Sequence, residues 1–65
     1  NILANPLCAL AKSIAKNTKS NGLIIISGIL DIQANRVENY YLKNGFRRIF
    51  IQKVDQWTTI TMQMK

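Results

Sequence analysis

The chain has 65 residues, nine Lys or Arg against three Asp or Glu, a net charge of +6, one cysteine and no histidine. A chain of this size forms one small domain that buries only about 60% of the surface its unfolded form exposes. Cys8 alone closes no internal disulfide, the lack of His removes the usual zinc sets, and the longest apolar run, LIIISGIL, is far short of the about 20 residues a membrane helix needs.

The opening NILANPL begins on a turn, which gives the expectation that the chain is the tail of a longer enzyme, cut just after a strand of its sheet. Asn5 before Pro6 predicts a helix start: an Asn side chain accepts from the first free N–H groups, and Pro is pre-set for the first helical position. This helix is expected to run to Asn17, with Leu7, Leu10, Ala11 and Ile14 on one buried face and Cys8 as a small core residue. Asn21 and Gly22 supply the tight turn that follows. Leu23 to Ile26 is a continuous apolar run, the pattern of a strand buried on both faces, and Ser27 with Gly28 is expected to end it.

A second helix is predicted over Ile32 to Lys43, capped by Asp31, with Val37, Tyr40 and Tyr41 near the buried side and Asn44 and Gly45 closing it. From Phe46 the period becomes two. Ile49 and Ile51 are placed on one face with Phe50 on the other; after a turn at Asp55, Thr58, Ile60, Met62 and Met64 alternate with Trp57, Thr59, Thr61 and Gln63. The result is an antiparallel hairpin whose first strand carries Arg47, Arg48 and Lys53, as suits a sheet edge. The order helix, strand, helix, strand, strand fits the last third of a doubly wound α/β domain.

Basic residues are scattered along every element, and only Arg47 and Arg48 are adjacent, so a solvated surface is favoured over a specific nucleic-acid groove. A small basic RNA- or ribosome-binding module stays as the alternative, although its aromatic residues are few and not interleaved with the basic ones. Asp31, Glu38 and Asp55 form no carboxylate pair, no Gly-rich phosphate loop is present, and no metal site is expected. In open α/β sheets, ligands bind beyond the carboxyl ends of the strands. Asn1 stands at such a point if a strand precedes it; its amide suits either a turn or the protons of an amine.

Two blocks carry a resemblance: Asn1-Ile2-Leu3-Ala4 followed by Pro6-Leu7, and Gly22-Leu23 followed by Ser27-Gly28-Ile29-Leu30. In this order and spacing the whole chain resembles the C-terminal part of the PrmA-type ribosomal-protein methyltransferases. The resemblance implies an S-adenosylmethionine-dependent, Rossmann-like α/β methyltransferase domain, of which residues 1–65 are a C-terminal fragment. It also implies a substrate that is the stalk-base protein, number eleven, of the large ribosomal subunit; the cytoplasmic setting is expected separately, from the single cysteine. By the same resemblance Asn1 lines both the cofactor and the amine, and Leu3 and Pro6 shape the substrate pocket or simply pack. The family's Gly-rich turn, ribose-holding acid and N-terminal recognition domain have no counterpart here. The isolated chain is therefore expected to be inactive and to expose an edge of the Leu23 to Ile26 strand, open to self-association.

Overall fold

The computed structural model describes residues 4–65. The elements are α1 (Ala4–Lys16), β1 (Leu23–Leu30), α2 (Asp31–Lys43), β2 (Phe46–Val54) and β3 (Trp57–Met64). The predicted order is thus observed.

In α1 the residues that pack inward are Ala4, Cys8 and Ala11, with Leu7, Ile14 and Ala15 partly covered beside them. Small side chains at spacings of three and four let this helix lie close on α2. Leu10, expected inside, is half-exposed because it falls outside that small-residue stripe. Asn5 does not open the helix. It lies within the first turn, and its Oδ1 accepts a bond of 2.8 Å from Arg36 Nη2. Pro6, third in the helix, is tolerated there because the first N–H groups have no intrahelical partner. At the other end, Asn17 Nδ2 donates to the Ser13 carbonyl (2.8 Å) and the Thr18 hydroxyl to that of Ile14 (2.6 Å), after which Asn21 turns the chain at φ 67°.

The strand β1 does not stop at Ser27. It continues to Leu30 through a bulge in which Gly28 adopts φ 74° and the pairing with β3 shifts between Ile26 and Ile29. Two residues there oppose one on β3, so Ile26 and Ile29, three apart, both face the core and are buried. Burial of β1 on both faces is not observed: Leu23 is 62% and Ile25 71% exposed. Their side chains point to the sheet face opposite the helices.

Asp31 is the first residue of α2 and not its cap; the Leu30 N–H is instead satisfied by Gln33 Oε1 at 3.2 Å. Ala34, Val37, Glu38 and Tyr41 face inward, while Tyr40 lies outside, with the Lys43 ammonium 5.9 Å from its ring centroid. Gly45 leaves the helix at φ 97°, a conformation that glycine reaches without a Cβ penalty. Asp55, at φ 54°, starts the two-residue loop joining β2 to β3. The register of β2 slips between Arg48 and Phe50, which ejects Ile49 from the alternation and leaves Ile51 opposite Ile60 in the core. The β3 alternation is as expected, with Thr58, Ile60 and Met62 buried.

Sheet order is β1-β3-β2, and both pairings are antiparallel. It follows that β1 and β2 run parallel to each other with β3 inserted between them, and that β2, the strand rich in basic residues, is an edge. The α/β class stands; every described strand pairing is antiparallel. At the centre, Tyr41 meets Phe46 with ring centroids 5.7 Å apart.

Candidate functional site

The helix α1 precedes β1 and packs on α2, where Asn5 meets Arg36 and the Leu7 carbonyl meets Tyr41. Leu7 and Ile14 of α1, Ile24 to Ser27 of β1, and Tyr41 of α2 line one open groove of about 440 Å³. Tyr41 fixes its floor: the phenol donates to the Leu7 carbonyl at 2.9 Å and ties α2 to the first turns of α1. Burial of this phenol, and secondly the nearby Cys8 thiol, push its pKa above the ordinary 10.0, so it stays a neutral donor through the physiological range.

Of the residues the sequence singles out, Ser27 lines this groove, Gly28 makes the bulge beside it, and exposed Pro6 directly precedes Leu7. Asn1 and Leu3 lie outside the described residues. Tyr41, on the groove's floor, was placed near the buried side by its helical spacing but not recognised as a lining residue. A fixed donor there has no signature in the sequence, since its partner is a main-chain carbonyl 34 positions away.

Two of the three carboxylates are held in ion pairs. Asp31 Oδ1 holds Lys53 Nζ at 2.9 Å and accepts from the Thr58 hydroxyl at 3.5 Å; Glu38 Oε2 holds Arg48 Nε at 2.9 Å; Asp55 sits in the hairpin loop. Among the described residues no three of His, Cys, Asp or Glu converge on a point where a metal could bind. Cys8 is buried, as its place in α1 predicts. What remains is an apolar groove with one hydroxyl on its rim, able to seat hydrocarbon but offering no anion.

Helices on one face of an antiparallel sheet, with the other face and the β1 edge uncovered among the described residues, define this as a two-layer α/β arrangement. The family model described as "Ribosomal protein L11 methyltransferase (PrmA)" matches residues 1–65. Proteins named ribosomal protein L11 methyltransferase are similar to it: one from a Chelativorans species is 40% identical over 63 residues, covering 97% of this chain and 22% of its own length. Another, from Aliivibrio salmonicida, is 41% identical over 61 residues (94% and 20%), and one from Methylococcus capsulatus is 46% identical over 46 residues (71% and 16%). This chain belongs to the PrmA family of ribosomal-protein methyltransferases. It spans about a fifth of the length of these relatives.

The cofactor expected for the family, S-adenosylmethionine, carries a sulfonium and an amino-acid end that call for carboxylate and backbone partners. The described residues do not fit it by themselves, because the groove is lined by apolar side chains, Ser27 and Tyr41 and by no carboxylate, while Asp31 and Glu38 are held in ion pairs with Lys53 and Arg48.

Proposed function

We propose that this chain is the C-terminal part of a Rossmann-like, S-adenosylmethionine-dependent catalytic domain that methylates amino groups of ribosomal protein L11. The observation that carries this reading is the match of the family along all 65 residues. The topology supports it. Parallel strands β1 and β2 flanking the antiparallel β3 form one end of a sheet, and the free side of β1 is where further parallel strands would add. In this reading the cofactor's seat belongs to the remainder of the domain, and the groove between α1 and β1 receives an apolar segment of it.

Asn1 then stands at the mouth of the catalytic crevice, touching both cofactor and amine, with Leu3 and Pro6 shaping the pocket. Methyl transfer to an amine is an in-line displacement, so the protein's task is to hold a deprotonated nitrogen at the correct angle. A neutral amide does this without adding a negative charge that would keep the amine protonated. The 65-residue chain alone transfers no methyl group.

The test is a chimera in which this chain replaces the matching segment of the Chelativorans relative. Methyl transfer to protein L11 within about tenfold of the parent is expected, with a loss of about a hundredfold on Asn1→Ala, the scale of a misplaced reacting group. A folded but inactive chimera overturns the reading. So does calorimetry showing micromolar cofactor binding by the 65-residue chain alone.

A further inference from the structure

Basic residues that are dispersed in the sequence are gathered in space. Main-chain and side-chain bonds draw the turn after α1, the end of α2, the start of β2 and the end of β3 to one pole. The Asn21 N–H donates to the Met64 carbonyl (2.9 Å) and the Lys65 N–H to that of Gly45 (3.1 Å). Gln63 links Asn21 to Arg47, its Nε2 donating to the Asn21 carbonyl (3.1 Å) and its Oε1 accepting from Arg47 Nη2 (2.9 Å). Lys16, Lys19, Lys43, Arg47 and Lys65 therefore surround one end of the sheet, all exposed. Every acidic side chain is elsewhere: Asp31 and Asp55 are at the opposite end, and Glu38 is spent on Arg48.

Helix termini offset part of this charge. Both helices end at the pole, each contributing about −0.5 of an elementary charge, and the α-carboxylate of Lys65 adds a full negative charge, so five cations retain an excess of about +3. Complementing two dipoles would need far less. The rim between the cations is polar, built from Asn17, Ser20, Asn21 and Asn44, whose amides and hydroxyl can meet phosphate oxygens. A lipid surface would require an apolar anchor beside the cations. Of the exposed apolar residues, Trp57 is at the opposite end of the sheet, paired with Leu30 and Val54, while Leu23 and Ile25 of β1 lie nearer the pole, so the vesicle arm of the test separates a lipid surface from a nucleic acid.

We propose that this basic pole docks on a nucleic-acid phosphate backbone, gripping it without regard to base sequence. The pole lies at the end of the sheet away from the carboxyl end of β1, so docking leaves that end free.

The test uses the 65-residue chain alone, so its outcome is separate from that of the chimera. Binding to a 20-nucleotide oligouridylate is followed by fluorescence anisotropy across a sodium chloride series. Three neutralised phosphates give a slope of log affinity on log salt of about −2.1. Lys19→Gln with Lys43→Gln should make the slope shallower by about 1.4, while Arg36→Gln with Lys53→Gln, equal in charge but distant from the pole, should leave it nearly unchanged. Lys19→Arg with Lys43→Arg should preserve the slope and shows that charge, not folding, is read. An equal effect of both Gln pairs, a parent slope shallower than about −1.5, or tighter binding to phosphatidylserine vesicles than to the oligonucleotide overturns the proposal.

Discussion

Tyr41 illustrates how much one side chain does in so small a chain. It lies in the core, packs on Phe46 and donates across to the Leu7 carbonyl. Tyr41→Phe keeps the ring and removes the bond, so it should lower stability by about 1 kcal/mol, read from the urea midpoint. The phenol also predicts an alkaline signature. Its folded-state pKa is above the ordinary 10.0, raised by burial first and by Cys8 second, so the unfolded chain releases its proton earlier. Stability from this group is complete below that ordinary value and is lost as pH rises through the higher folded value. The same denaturation series on Tyr41→Phe should lack this share of the decline; identical alkaline profiles for both proteins would refute it.

Elements were legible in the sequence where local chemistry decides them. Gly45 and Asn21 take the positive φ angles that their turns demand, and the β3 alternation ran unbroken from Thr58 to Met62. Illegible features needed a partner element. Neither bulge has a local mark: Gly28 was taken as the end of β1 when it re-phases the strand, and the slip at Ile49 shows only against β3. Glu38, at 8% exposure, sits within the apolar stripe of α2 because Arg48 from the core-facing side of β2 reaches it. The missed signal was an acid at the position where helical spacing from Ala34 and Tyr41 demands an apolar residue. Arg48→Ala leaves that carboxylate covered and unpaired. Because the guanidinium is half-exposed, the expected cost is about 1 to 2 kcal/mol, between a surface and a buried ion pair, measurable by denaturation at neutral pH. A change under about 0.3 kcal/mol would mean that water already replaces the arginine.

At the scale of the whole molecule, the surface area is 4358 Å², close to the about 4,200 Å² of a compact monomer of this mass. Its apolar exposure is therefore not looseness, and half of its exposed large apolar residues share one face. Leu23 and Ile25 of β1, Phe50 and Val54 of β2 and Trp57 of β3 share the sheet face away from both helices. The continuous apolar run of β1 gave the expectation of a strand covered on both sides, and among the described residues nothing covers the second face. An open apolar face beside an unpaired edge attracts a second copy. The chain alone should therefore associate at tens of micromolar in sedimentation velocity. Ile25→Lys should shift it to monomer, because a charge on an edge strand must be desolvated before another strand can pair there. The substitution removes no core contact, since Ile25 is 71% exposed, and stability should change by less than about 0.5 kcal/mol. Raising salt separates causes. Association through this face strengthens as the net charge of +6 is screened, so a chain that dissociates with added salt would be held together by charge and not by the uncovered sheet.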